Sequence, residues 1–244
     1  MIMKRFNWFL LAILFVLIPA LQSCDDNDGY SVGDIGVGWA TVRVLSGNAY
    51  YLDSDRYGTL WLSGNDVYWY KPVDGERVFV RFNPLWDNYE GYNLAVKLEG
   101  LRPILTKQVE ELTSENETEY GNDPVDIIQQ NIWVSNGYLN VIYEQNIPLY
   151  KKHRVSLVRN TTVEPVEDGY VHLEYRYNTY DDVSDHWGQG VVSFNLNSLD
   201  MEGKKGIKLK LNSTVNGEVE IVLDIKGRSE VEDEVNFGGG NYLE

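Results

Sequence analysis

Two stretches of this chain carry residue types that do chemistry at a surface. In the first, Tyr180-Asp181-Asp182 is followed by Asp185-His186-Trp187-Gly188, so carboxylates, an imidazole and an indole share one short segment. Carboxylates accept from sugar hydroxyls or ligate hard cations, and a Trp face stacks on apolar sugar surface. Asp181, Asp182 and Trp187 are therefore a candidate cation or sugar site. A solvated turn, with Trp187 covering the end of a β-layer, accounts for the same residues more simply. The second stretch is Val67-Tyr68-Trp69-Tyr70, flanked by Trp61 and Trp86. Small barrels of the OB type bind oligosaccharides or single strands by stacking them on aromatics of one face. Trp61, Tyr68, Trp69, Tyr70 and Trp86 are thus candidate ligand contacts, with core packing and rim capping as the competing explanation.

Other constellations fail on spacing. Gly33, Gly36 and Gly38 are not followed by a helical pattern, and no GxxxxGK[ST] occurs, so no phosphate loop is expected. Asp53-Ser54-Asp55 with Gly58 imitates the start of an EF-hand, but Tyr57 and Gly64 stand at ligand positions five and twelve, which makes it a hairpin loop. His153, His172 and His186 lie in separate segments without HExxH spacing, and no GxSxG elbow is present. Two carboxylates suffice for glycoside hydrolysis, yet no pair is singled out by spacing. The expectation is a non-enzymatic protein without cofactor or metal.

Cys24 is the one residue with a definite chemistry. Lys4 and Arg5 precede an apolar run from Phe6 to Ile18, broken only by Asn7, and then Leu21-Gln22-Ser23-Cys24. A positive start, a short apolar region and a break describe a secretory signal; the run is short of the roughly 20 residues that span a bilayer. The tetrad resembles a bacterial lipobox, whose cysteine receives a diacylglyceryl group and becomes the mature N-terminus; Gln22 departs from the usual small residue. An exported chain with a single cysteine has no internal disulfide to form, so Cys24 needs another role. Acyl chains contribute about 0.8 kcal/mol per buried methylene, and several together anchor stably. The expected location is the cell envelope, anchored to the outer membrane.

The elements that would position these groups are strands. The 244 residues are 43% hydrophobic and 13% aromatic, too apolar for a disordered chain, and the net charge of −16 disfavours a nucleic-acid partner. After the signal (1–23), residues 24–37 are acidic and polar and read as a flexible tether. Period-two alternation then begins: Val42 and Val44; Val78, Val80 and Phe82; Leu94, Val96 and Leu98, with glycine turns between. Residues 38–110 suit a small closed barrel. A short helix is expected over 106–119, with Thr106 as N-cap and Val109 and Leu112 facing inward. An acidic linker over 111–124 leads to a second alternating region, 125–227. Its runs include Leu139, Val141 and Tyr143; Val171, Leu173, Tyr175 and Tyr177; and Val219, Ile221, Leu223 and Ile225. About seven strands in this span indicate an antiparallel β-sandwich. Residues 228–244 are acidic, then Gly-rich, and read as a disordered tail. The tether, linker and tail carry −13 of the −18 left after signal removal, so the charge favours extension rather than an acidic binding face.

The order of features is similar to the NigD-like lipoproteins of Bacteroidetes. The resemblance rests on SCDD (Ser23 to Asp26), Gly-Tyr-Ser (Gly29 to Ser31), Trp-Ala-Thr-Val (Trp39 to Val42) and Asn-x-Tyr-Tyr-Leu (Asn48 to Leu52). It continues through Tyr70 to Val78, Ile-Leu-Thr-Lys (Ile104 to Lys107) and Gly-Asn-Asp-Pro (Gly121 to Pro124). Trp133 with Tyr138 to Val141, His153 to Asn160, Leu173 to Asp182 and Val192 to Leu196 complete it. The resemblance implies an OB-like N-terminal barrel followed by a C-terminal β-sandwich. It also implies a protein or peptide toxin as partner, because a member of the family was proposed as the immunity protein of a bacteriocin cluster. Sheet edges and the interdomain groove are the implied surfaces, and a glycan-binding accessory role for the barrel aromatics is the alternative. Asp25-Asp26 after the cysteine resembles the export signals that place such lipoproteins on the cell surface, although Asn27 interrupts the pattern.

Feeding cells an alkyne fatty acid should label the chain, and Cys24→Ser should abolish that label and release the protein from the membrane fraction. Label retained by the serine variant would remove the anchor.

Overall fold

A computed structural model describes residues 29–127 and 129–224; Cys24, the signal segment and the expected tail lie outside them. The first body is built from β1 (Gly36–Ser46), β2 (Ala49–Ser54), β3 (Gly58–Asn65), β4 (Arg77–Tyr89) and β5 (Tyr92–Pro103). Alternation sends Val42, Leu52, Leu60, Val78, Val80, Phe82, Val96 and Leu98 into one buried core. The five strands close in the order β1-β2-β3-β5-β4, with β3 and β5 parallel and β4 pairing back onto β1. Closure leaves no sheet edge exposed, which the alternating pattern anticipates. Gly36 permits it locally: a Cβ there would stand 2.3 Å from the Phe82 ring. Gly36 and Gly38 are strand residues, not a ligand loop. The tether reading meets structure from residue 29 onward. There the Tyr30 hydroxyl donates to Asp87 (2.7 Å) and the Asn83 amide donates to the Ser31 and Asp34 carbonyls, tying the segment to β4.

The second body is a sandwich. Its strands are β6 (Leu105–Gln108), β7 (Glu110–Leu112), β8 (Ile132–Ser135), β9 (Tyr138–Asn146), β10 (Arg154–Asn160), β11 (Tyr170–Asn178), β12 (Trp187–Asn195), β13 (Gly206–Ser213) and β14 (Gly217–Asp224). One sheet runs β14-β13-β11-β10-β7 and the other β6-β12-β9-β8. Leu139, Val141, Tyr143, Leu157, Leu173, Tyr175, Val192, Phe194, Ile207 and Leu209 fill the space between them. Hairpin neighbours are antiparallel, but β6–β12, β7–β10 and β11–β13 are parallel, so both sheets are mixed.

The helix expected over 106–119 is not formed. Leu105–Gln108 and Glu110–Leu112 are strands, and the Thr106 hydroxyl donates to the Ile104 carbonyl and accepts from the Arg77 amide instead of capping a helix. Val109 packs on the sandwich core while Leu112 is buried with Tyr120 and Val158. Their spacing of three imitates a helical face, but parallel pairing to β12 and β10 satisfies the backbone groups. The chain thus enters the sandwich at Leu105, ahead of the expected boundary at 110. Only one turn, α1 (Glu117–Tyr120), is helical within the expected linker.

The two bodies meet through a welded junction. Trp39 of β1 packs edge-on against Trp133 of β8 (centroids 5.0 Å, 79°) and Phe79 of β4 (5.9 Å, 82°), with Ile104, Ile142 and Val191 around them. Beside this cluster lies Arg77, whose side chain has 0% exposure. It forms a two-pronged pair with Asp55 (Nη1–Oδ1 2.7 Å, Nη2–Oδ2 2.5 Å) and donates to the Thr41 hydroxyl at 3.0 Å. The Ser135 hydroxyl from the sandwich donates to the same Asp55 carboxylate at 2.6 Å, Asn140 donates to Ser135, and Ser193 donates to Asn140. Tyr138 of β9 reaches back to the Gly75 carbonyl at 2.9 Å. The interdomain region named above as a binding surface is therefore occupied here by the protein's own side chains.

Removing one partner of a buried pair strands the other charge, at a cost of about 3–5 kcal/mol. Asp55→Ala should lose stability on that scale in urea unfolding, whereas Arg77→Met with Asp55→Leu should recover much of it. Equal stability of Asp55→Ala and the native chain would contradict this role.

Candidate functional site

The barrel aromatics fall into separate groups. Trp61 on β3 lies over Tyr92 of β5 (5.0 Å, 32°), and Tyr92 meets Tyr51 of β2 (5.3 Å, 60°), making a half-exposed strip across the outer wall. Trp86 is exposed and stacks on Tyr89 near the β4–β5 turn. Tyr68 and Trp69 are exposed on the β3–β4 loop, while Tyr70 is half-buried, packs on Tyr50 (5.8 Å) and donates its hydroxyl to Glu76. Burial and the neighbouring Glu76 carboxylate both push the Tyr70 phenol far above its ordinary range, so it stays protonated. Tyr70 is thus a packing residue. The remaining four do not form one continuous platform.

The acidic loop is divided too. Tyr180 and Asp181 both take left-handed backbone (φ 54° and 58°), and the Asp182 amide donates to the Thr179 carbonyl (3.0 Å), a tight turn that ordinarily favours Asn or Gly. The turn aims Asp182 at the backbone of residues 149–151. The Lys151 amide, followed by those of Tyr150 and Leu149, holds its carboxyl below the usual carboxylate range against an opposing desolvation contribution. Lys151 in turn sits 3.1 Å from the Tyr180 ring centroid. Beneath, His153 is fully buried: its Nε2 donates to the Asp182 carbonyl (2.6 Å) and its Nδ1 accepts from the Tyr177 hydroxyl (2.5 Å). Asp182 and His153 therefore stitch two loops together, and Asp181 points into solvent. His172 pairs with Asp168 (3.0 Å) on another surface, and His186 is exposed.

Trp187 keeps different company. It stands 61% exposed at the start of β12, on the rim of a cleft of about 250 Å³ at the open end of the sandwich. Asp123, Asp126, Glu144, Gln145, Tyr177 and Thr179 are among the lining residues. The segment 123–126 makes the far wall: Val125 bridges to Ser213 of one sheet and Asp126 to Glu144 of the other. Gly121 starts that crossing with φ 65°, where a Cβ would lie 2.8 Å from the Tyr177 carbonyl. Gln145 follows Leu139, Val141 and Tyr143 on the inward face of β9, is 6% exposed, and its Nε2 has no hydrogen-bond partner among the described residues. Asp123, Asp126, Glu144 and Gln145 escaped the sequence reading. The available signal was a glutamine at an apolar position of an alternating strand. Among the described residues no group of three or more His, Cys, Asp or Glu is arranged to hold a metal ion. No helix among them is long and apolar enough to cross a membrane.

Comparison with known proteins follows the same two-part division. Residues 39–104 match the family model of the NigD-like N-terminal OB domain, and residues 108–225 that of the NigD-like C-terminal beta sandwich domain. A Bacteroides vulgatus protein of unknown function superimposes with a TM-score of 0.69 at 29% identity, covering 78% of this chain and 90% of its own. A candidate toxin-related protein of Parabacteroides distasonis gives 0.66 at 29% identity, covering 79% and 95%. A NigD-like immunity protein of Bacteroides caccae gives 0.57 at 18% identity, covering 78% and 94%, a likeness of fold. Among curated proteins, none matches.

A carboxylate held below its unfolded value contributes stability that is present above the ordinary carboxylate range and is lost as pH falls through the folded-state value. Asp182→Asn should therefore loosen the 149–151 loop at neutral pH, seen as faster amide exchange at Tyr150 and Lys151. The difference from the native chain should vanish in acid. A difference that persisted undiminished at pH 2 would assign the loop's order to something else.

Proposed function

The chain belongs to the NigD-like family, and we propose that it acts as a lipid-anchored, non-enzymatic protein of the cell envelope that binds a protein or peptide partner, with bacteriocin immunity as its role. The observation that carries this reading is the match to both family domains, in one order and over most of the chain. The Bacteroides caccae neighbour named as an immunity protein supports it, as does the toxin-related neighbour from Parabacteroides distasonis. Cys24 supplies the anchor in this reading. Immunity then requires capture of the toxin, or occlusion of its target, at the membrane surface rather than turnover.

A second reading follows from the outer wall of the barrel. The strip Trp61–Tyr92–Tyr51 offers ring faces of the kind on which sugars stack, which favours a glycan-binding accessory.

Deleting the gene should sensitise cells to the cognate toxin, and the native gene should restore protection. Unchanged killing, together with glycan-array binding that Trp61→Ala abolishes, would replace the first reading with the second.

A further inference from the structure

We infer that the barrel docks on a bilayer surface of zwitterionic lipid through the pole beside its N-terminal segment, where Tyr30, Val32, Trp86 and Tyr89 gather. This goes beyond the lipid-anchored reading above and rests on it, since Cys24 fixes where the membrane lies.

The length of chain between anchor and fold sets the geometry. The described residues begin at Gly29, and the Tyr30 hydroxyl already donates to Asp87 of β4. From Cys24 to Tyr30 the chain advances six residues. A fully extended chain covers at most about 3.6 Å per residue, so Tyr30 stays within roughly 20 Å of the acylated cysteine. Asp87 stands one residue from Trp86 and two from Tyr89, so the tip of the β4–β5 hairpin is held equally close. The direction of β4 agrees. Phe79 lies in the junction with the sandwich, and Trp86 follows on the same strand. At about 3.3 Å per residue, the tip extends roughly 20 Å beyond that junction.

The residues at this pole suit that surface. Val32 is 89% exposed and Trp86 57%, and Tyr30 and Ile35 are exposed as well. Singly such residues need no explanation, but these four flank the place where the anchored segment joins β4. The Trp86 ring stacks on Tyr89 (6.2 Å, 28°), and Tyr89 pairs with Tyr92 across the Glu90–Gly91 turn. Indole and phenol rings settle at headgroup level, where an apolar body and a hydrogen-bonding edge are satisfied together. Charge selects the lipid. Residues 29–36 and 83–95 include Asp34, Asp87 and Glu90 and no Lys or Arg. Anionic headgroups repel such a surface, and zwitterionic ones do not. The exposed pair Tyr68 and Trp69 lies elsewhere. Asn93, beside the hairpin tip, accepts from the Thr59 amide at the start of β3, whereas Tyr68 and Trp69 follow the end of that strand.

The test reconstitutes the protein with its native anchor into vesicles of phosphatidylcholine and phosphatidylethanolamine brominated near the headgroup, and follows quenching of Trp fluorescence. Trp86→Phe should remove most of the quenching, whereas Trp69→Phe and Trp187→Phe should leave it unchanged. Val32→Asp with Tyr89→Asp should cut it about threefold at an unchanged melting temperature, and brominated phosphatidylglycerol should quench less. Quenching that Trp69→Phe removes instead, or that is stronger in phosphatidylglycerol, would overturn the proposal. Protein that stays with the vesicles while Trp86 is unquenched would remove this contact and leave the anchor standing; an oligomer in those vesicles would then assign the patch to a second copy. A chain found without acyl groups would remove the anchor reading. Coupling Cys24, the single cysteine, to a maleimide lipid would then restore the attachment, and the same quenching pattern would decide the contact by itself.

Discussion

The Arg77 guanidinium has no side-chain exposure, and groups from both domains converge on it and on its partner Asp55, although its Nε has no acceptor among the described residues. A guanidinium taken out of water costs several kcal/mol unless its donors meet acceptors of matching geometry. Asp55, in the β2–β3 turn, meets two of them, and Thr41 a third contact from the neighbouring strand. The carboxylate itself still has acceptor capacity, and Ser135 of the sandwich fills it. The rings of Trp39 and Tyr138 lie within 5.9 Å and 5.3 Å of the guanidinium carbon, one from each domain. A displacement of the sandwich would therefore remove both a hydrogen bond and part of the apolar cover from a buried ion pair.

The connector reinforces that weld covalently. Leaving the barrel at Pro103, the chain buries Ile104 in the junction and then lays β6 along β12 in one sheet and β7 along β10 in the other. Both are edge positions, so eight consecutive residues, Leu105–Leu112, cover one edge of each sheet. Edge strands left open invite pairing with other chains, and covering them is a common remedy. The sandwich thus takes its two protected edges from the segment that ties it to the barrel. The fold is better described as two bodies sharing a strap than as two domains on a linker.

This strap is also where sequence reasoning was weakest. Strands such as β9, β11 and β14 announce themselves through runs of alternating apolar residues whose partners are hairpin neighbours or whose faces are half-buried. β6 and β7 have four and three residues, too few to show a period, and their partners lie far along the chain at Val192 and Val158. Val109 and Leu112, three apart, then read as one helical face when they in fact enter two different clusters. Arg77 and Asp55 were equally silent, since an arginine beginning a strand and an aspartate in a turn are common at surfaces. The candidate loop at 180–188 was visible as a cluster, but its members separate because the Tyr180–Asp181 turn directs Asp182 toward backbone amides while Trp187 starts a strand. Adjacency in sequence there predicted adjacency on the surface, and turn geometry defeated it.

The acidity of the chain also acquires a structural meaning. Acids of the expected linker and of the residue before it are ion-paired: Glu119 and the neighbouring Glu110 with Arg154, and Glu111 with Arg159. On β13 and β14, Lys208 and Lys210 face Glu220 and Glu218, and Lys208 also reaches Asp168. Charges arranged in such ladders largely cancel at a distance. The cleft at Trp187 differs in having carboxylates and no basic residue in its lining. At physiological ionic strength a surface field fades beyond about 8 Å, so charges paired in such ladders act only on what comes close to them. A partner of the folded domains is therefore selected by direct contacts rather than by the net charge of the chain.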